Sequence, residues 1–340
     1  MSRKKAEKIL FFSKTLDFLE HYLPEQSLKS RNTIETYRDA LTVFRRYITD
    51  TMNLSLRTFG FEDCTHDFLL AYIEFLHKNG NSEITCNNRL AAIRAYLWYA
   101  ADCDISLQSV ALTASRVPFL KVPKLTREVI PDDALKALLS APPDTKIGRR
   151  DRLILILLYD SAVRVSELLS MNASSVNLEA DIPYLRIYGK GEKERIIAIT
   201  DKTADHLKNY LKVYHEVINP DAPLIYTVIK GHKDRMSVGN VERIIKKYAA
   251  QIRSEYPDLP EHCYPHMFRR TRATNLYQDG TELELVSRIL GHSSTETTRI
   301  YAVPSVDMMR KVMESGNLES DEKPLWPDDE AEMARICGLR

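Results

Sequence analysis

Three short stretches of this 340-residue sequence gather residues able to do chemistry on an anion. SAVRVSELL surrounds Arg164, YGKGEKERIIAI surrounds Lys190, and a longer stretch from PHMFRRTRATNL to LGHSSTETTRIY carries His266, Arg269, His292 and Tyr301. His266 and Arg269 are three positions apart, and His292 precedes Tyr301 by nine. A guanidinium is a planar fork of donors that stays charged at any working pH, so a pair of them suits the extra negative charge of a pentavalent phosphate. Imidazoles exchange protons near neutrality. A phenol, with a reference pKa near ~10, needs help to become a nucleophile. A phosphotyrosine ester keeps the energy of the phosphodiester it replaces, so strands joined through one can be resealed without ATP.

In order and spacing, these six residues resemble the active site of the tyrosine recombinases, the phage integrase family, and the resemblance spans about residues 130–303. It implies Tyr301 as the nucleophile of a 3′-phosphotyrosine intermediate, with Arg164 and Arg269 holding the phosphate in place of a metal. Lys190 would protonate the departing 5′ oxygen, while His266 and His292 would handle protons or hydrogen-bond the phosphate; the two histidines are not ranked. The resemblance also implies no soluble cofactor, double-stranded DNA as partner, and a homo-oligomer on DNA, four protomers on two duplexes. The expected function is site-specific recombination or integration for a mobile element. Two other readings use the same residues differently: a type IB topoisomerase, active on one DNA without a specific site, and an architectural DNA-binding protein that has no use for all six. Val163 precedes Arg164 where the family usually has glycine, and Arg270 follows Arg269 where histidine is common; neither replaces a reacting group.

Positioning such groups requires a scaffold, and the apolar spacing outlines it. From Ser30 to Ile48, residues Ile34, Tyr37, Leu41, Phe44, Tyr47 and Ile48 recur at helical spacing behind the potential caps Ser30 and Asn32. Similar patterns cover 67–76 and 85–101, the latter with Leu90, Ile93, Leu97 and Ala100 inward and Arg89 and Arg94 outward. The segment TCNNRLAAIRAYLWYA resembles the family's helical core-binding domain in outline. Residues 115–128, SRVPFLKVPKLTRE, hold two prolines and the cations Arg116, Lys121, Lys124 and Arg127, which reads as an extended basic strap. Beyond it, Pro131 and Asp132 open a helix through Ser140. The all-round apolar run LILILLY at 153–159 reads as a buried central helix, although a strand fits the same run. Tyr184–Tyr188 and 195–199 read as a hairpin with GKGEKE at its tip. Ser237 caps a helix with Val238, Val241, Ile244, Ile245 and Tyr248 on one stripe, and Gly291 ends another over 282–290. Ser294 or Thr295 would start the helix that presents Tyr301.

The expected fold is therefore mostly α with a small antiparallel β-sheet (α+β). A helical, SAM-like core-binding domain (1–114) is followed by a basic linker (115–128), a catalytic domain (129–315) and an acidic tail (316–340). By family analogy the segment after Tyr301 docks on a neighbouring protomer, with Val306, Met309, Val312 and Trp326 as the candidates. Asp328 would cap a last helix with Met333, Ile336 and Leu339 on its apolar side. Expected DNA contacts are Arg89, Arg94, Lys121, Lys124, Lys193, Arg270 and Arg272, with Asn87 and Asn88 beside the first two.

Net charge alone, +1, argues against a nucleic-acid protein, but its distribution does not. Residues 314–340 carry eight acids against three bases, a tail of −5 that leaves +6 for residues 1–313. The five cysteines, at 64, 86, 103, 263 and 337, are odd in number, widely spaced and without C-x-x-C, as expected of reduced thiols. His262, Cys263, His266 and His292 lack a recognised zinc spacing. No run of eighteen apolar residues occurs, and a cytoplasmic, nucleoid-associated enzyme is expected.

Overall fold

The computed structural model describes residues 8–123, 128–189, 194–215, 219–292, 294–315 and 329–338. Lys124, Lys190, Lys193 and the tail residues from 316 to 328 lie outside them. The chain divides into two compact units, Met1–Thr126 and Arg127–Arg340.

The first unit is helical. Helix α1 (Arg31–Arg46) starts where Ser30 Oγ accepts from Thr33 N, α2 (His66–Lys78) is capped in the same way by Thr65, and α3 (Glu83–Cys103) by Ser82. Helix α4 (Gln108–Ser115) completes the set, and α3 touches α1, α2 and α4. Leu90, Ile93, Leu97 and Ala100 of α3 are buried as their spacing requires. A segment that the spacing did not reveal, residues 11–26, coils through short 3-10, α and π turns and buries Phe11, Phe18, Leu19 and Leu23. Turns of changing pitch carry no 3.6-residue period. The Phe11 ring lies 5.2 Å from Phe44 and 5.4 Å from Tyr96, whose phenol donates to Phe11 O.

The start of the basic strap belongs to this packed body. Val117 is buried, and Leu120 exchanges two hydrogen bonds with the Asn87 side chain, at 2.9 and 2.8 Å. Arg94 does not point outward: its Nε donates to Ala114 O at 2.9 Å and its guanidinium covers the Phe119 ring at 4.4 Å.

In the second unit, α5 (Asp132–Ser140), α6 (Lys146–Asp160) and α7 (Val165–Ser170) lead into a three-stranded antiparallel sheet. Its strands are β1 (Val176–Asn177), β2 (Tyr184–Tyr188) and β3 (Glu194–Ala198), with Leu185 opposite Ile197. Helix α8 (Asp201–Tyr214), the hairpin β4 (Tyr226–Ile229) and β5 (His232–Arg235), and α9 (Val238–Ile252) follow. Helices α10 (Pro265–Gln278), α11 (Leu283–Leu290), α12 (Val306–Ser315) and α13 (Glu330–Ile336) close the order. Of the stripe expected on α9, Val238 is 40% exposed and the other four are buried. The cap of α13 is Asp329, whose side chain accepts from Ala331 N.

The apolar run at 153–159 is helix, not strand. Helix α6 lies against α5, α7, α8, α9 and α10, so it is apolar all round because it is surrounded. Leu153, Ile154, Leu155, Leu157 and Leu158 are all buried. Leu155→Ala removes a fully buried side chain and should lower the unfolding free energy by about 2–5 kcal/mol in urea titration.

Candidate active site

Helix α10 begins at Pro265, a residue suited to a first helical turn, and carries His266 and Arg269 at i and i+3 on one side. Helix α11 ends at Leu290, where Gly291 takes the left-handed C-cap conformation with φ 63°. Glycine suits this conformation, and a Cβ built there would also meet the Arg195 guanidinium at 2.9 Å, so that side chain would have to shift. Past it, Ser294 Oγ caps a 3-10 turn over Thr295–Thr297, and a second covers Arg299–Tyr301. The single helix expected before Tyr301 is therefore two tight turns.

Arg164 lies at the start of α7, after α6 has ended. The left-handed residue in that connection is Ala162, φ 49°, so the position that favours glycine is Ala162 and not Val163. The buried carboxylate of Glu167, one turn on, accepts from Arg164 N at 2.9 Å and from Arg164 Nη1 at 2.9 Å. It also accepts a two-point bond from Arg195 of β3, at 3.1 and 2.8 Å. Burial opposes ionisation of Glu167, but the bonds from Arg195 and Arg164 prevail and bring its pKa down to about 2. The Arg164 side chain itself is 41% exposed.

Arg269 is fully buried. Its Nη1 donates to Ala162 O at 2.6 Å, its Nη2 donates to Leu290 O at 2.6 Å and lies 3.0 Å from His292 Nε2, and its Nε has no partner among the described residues. Burial, reinforced by Arg164, pulls the guanidinium from 12.5 down to about 10, so it is charged at neutral pH. Because a guanidinium only donates, His292 Nε2 must be the acceptor, and the imidazole proton sits on Nδ1, 2.8 Å from Thr298 Oγ1. Burial first, then Arg269 and Arg164, lowers the His292 pKa from 6.5 to about 4.

Tyr301 is 3% exposed and packs with Ala162, Ala273, Val286 and Leu290. Its ring stacks on His292 at 6.1 Å and 27°, and its Oη lies 3.3 Å from Nε2 of the exposed His266, a spacing at which the phenol can donate to an imidazole lone pair. Five of the six expected residues thus converge. The sixth, Lys190, lies outside the described residues, between β2 and β3.

The phage integrase family model matches residues 128–307, more than half of the chain, and the phage integrase SAM-like domain model matches 14–111. The chain is a tyrosine recombinase of the phage integrase family. Tyrosine recombinase XerA of Thermococcus onnurineus (strain NA1) is 30% identical over 309 residues, 90% of this chain and 96% of the relative. The namesake from Thermococcus kodakarensis is 31% identical over 249 residues, 73% of this chain and 81% of the relative. In fold, the chain is similar to XerH site-specific recombinase bound to palindromic difH substrate in a post-cleavage complex. That likeness has a TM-score of 0.63 and 21% identity, covering 84% of this chain and 79% of the other.

For this tyrosine recombinase, the residues expected at DNA divide into two sets. Arg270 is 8% exposed and donates to Glu128 O and Tyr264 Oη, both at 2.9 Å. Arg272 lies 3.5 Å from Asp160 and over the Tyr159 ring at 5.3 Å. With Arg94, these side chains hold the protein's own elements together. Arg89 is half-buried and donates to Asn81 Oδ1 at 2.8 Å, while Lys121 is exposed. Three polar groups at the site were not anticipated: Glu167, Arg195 and Thr298. Arg195 shares the inward side of β3 with Ile197, and a cation at an inward strand position is the one sequence signal it left. The apolar candidates Val306, Met309 and Val312 are exposed on α12, and Trp326 lies outside the described residues.

His292 should remain neutral well below ordinary imidazole values. Its folded pKa lies below 6.5, so unfolding takes up a proton and the stability it contributes at neutral pH falls away from about 6.5 down through about 4. An NMR titration of the histidine ring signals should place His292 near 4; a midpoint near 6.5 contradicts the Arg269 contact.

Proposed function

We propose that the chain is a site-specific DNA recombinase of a mobile element that cuts and rejoins double-stranded DNA through a 3′-phosphotyrosine at Tyr301, without metal or ATP. The observation that carries this reading is the convergence of Tyr301 Oη with His266 Nε2 at 3.3 Å, beside a stack on neutral His292 and the cations Arg164 and Arg269.

In the cleavage step, Tyr301 Oη attacks the scissile phosphorus as its proton passes to His266, the nearest base. His292 is the weaker candidate for that proton, since its one lone pair already faces Arg269. The charge gathering on the non-bridging oxygens meets Arg164, the accessible cation of the pair, with Arg269 behind it. Lys190, from the turn between β2 and β3, protonates the 5′ oxygen that leaves. Reversal with the 5′ hydroxyl of another strand reseals the backbone, and the ester bond supplies its own energy.

Exchange between duplexes requires several protomers, and four on two duplexes is the arrangement proposed. The apolar stripe on α12 supports a contact between protomers. Action by a mobile element and resolution of chromosome dimers need the same site and differ in the DNA recognised.

Incubation with DNA from the flanks of its own gene, followed by a denaturing gel, tests the proposal. The native chain should yield a protein-linked strand, undiminished by EDTA and without nucleotide, and Tyr301→Phe should yield none. An adduct that survives in Tyr301→Phe, or specific binding that never gives an adduct under trapping conditions, contradicts it.

A further inference from the structure

We propose that Arg195 is a positioning residue for strand cleavage, coupling the β2–β3 hairpin to Arg164 through buried Glu167 and to the His292 turn through Gly291; this rests on the recombinase reading above. Arg195 stands on the strand that leaves the turn bearing Lys190, five positions after that lysine. Its side chain is 14% exposed, and its two-point bond to Glu167 places one carboxylate between two guanidiniums. The same carboxylate fixes both the backbone nitrogen and Nη1 of Arg164. On its other side the Arg195 guanidinium fills the space a Cβ at Gly291 would occupy, one residue before His292. Strand β3, which follows Lys190 in the chain, and the segments carrying Arg164 and His292 therefore meet on one side chain that reacts with nothing itself.

The physical consequence is a shared constraint. Glu167 alone with Arg164 is an ion pair within one helical turn whose cation is 41% exposed. With Arg195 in place each carboxylate oxygen accepts a second bond, from a strand outside the helix, and Arg164 inherits that more firmly held partner. Loss of Arg195 leaves the reacting groups present but loosens their alignment, the kind of displacement that costs on the order of 100-fold in rate. It also removes one of the two cations that keep Glu167 ionised in a buried place, so the carboxylate becomes able to take up a proton on mild acidification.

The test is single-turnover formation of the Tyr301 adduct on a nicked DNA duplex by the full chain, measured from pH 5 to 8 for the native protein, Arg195→Ala, Arg195→Lys and Glu167→Gln, with DNA affinity measured in parallel. The native chain fixes the reference: an adduct there upholds the recombinase reading whatever the variants do, and its absence removes that reading and this proposal together. Arg195→Ala should cleave on the order of 100-fold more slowly, bind DNA as tightly as the native chain, and lose rate more steeply than the native chain as the pH falls. Arg195→Lys, which keeps a cation beside Glu167, should recover part of the rate and flatten that pH dependence. Arg195→Ala combined with Glu167→Gln should lose less rate than the two single losses multiplied together, since the two residues share a contact. Native rate in Arg195→Ala overturns the proposal. So does a loss shared equally by Ala and Lys, unchanged with pH and accompanied by lower thermal stability and weaker DNA binding, for that is a folding role only.

Discussion

The guanidinium of Arg269, buried with no carboxylate bonded to it among the described residues, is the constraint on which the rest of the catalytic unit depends. A charge taken out of water costs several kcal/mol unless polar groups replace the lost hydration. Here backbone carbonyls do so, Ala162 from the connection after α6 and Leu290 from the end of α11, together with the lone pair of His292. Satisfying one side chain thus fixes the approach to Arg164, the end of the helix before His292 and the tautomer of His292 itself. Tyr301 is then placed by stacking on that imidazole and by packing against Ala162 and Leu290, whose carbonyls hold the arginine.

The arrangement also grades the cations by exposure. Arg269 is wholly buried and Arg195 nearly so, while Arg164 reaches solvent. Fixed positive charge behind an accessible cation stabilises an anion without having to reorganise, which is how preorganised electrostatics works. Glu167 prevents the cluster from repelling itself apart. Its pKa of about 2 keeps it ionised at neutral and mildly acidic pH, so the cluster of three arginines carries one counter-charge there.

Much of this was legible in the sequence because the reacting groups sit where local rules also operate. Gly291 announced a helix end, His266 and Arg269 share a helical side by spacing, and the run at 153–159 is apolar all round as a surrounded helix is, although a strand fitted it too. What the sequence hid are contacts between segments far apart in the chain. Glu167 reads as an ordinary helix-start acid, and nothing local says that Arg195, 28 residues later, will close on it. Arg94, Arg270 and Arg272 read as DNA contacts because a cation looks the same whether it faces solvent or a carbonyl. Residues 11–26 were missed for a different reason, since 3-10 and π turns in succession leave no regular apolar period. The left-handed conformation falls on Ala162, one position before the Val163 at which the family glycine was placed, because no glycine marks it.

The central claim is that Tyr301 attacks phosphorus within a site already assembled around Arg269. A structure of the chain with vanadate bridging the two ends of a cut DNA strand tests it most directly, since vanadate adopts the five-coordinate geometry of the transferring phosphate. The account predicts vanadium bonded to Tyr301 Oη, His266 adjacent to that oxygen, Arg164 donating to the equatorial oxygens, and Arg269 still bonded to Ala162 O and Leu290 O. Vanadium held by another nucleophile, or an Arg269 that has abandoned both carbonyls, would contradict it.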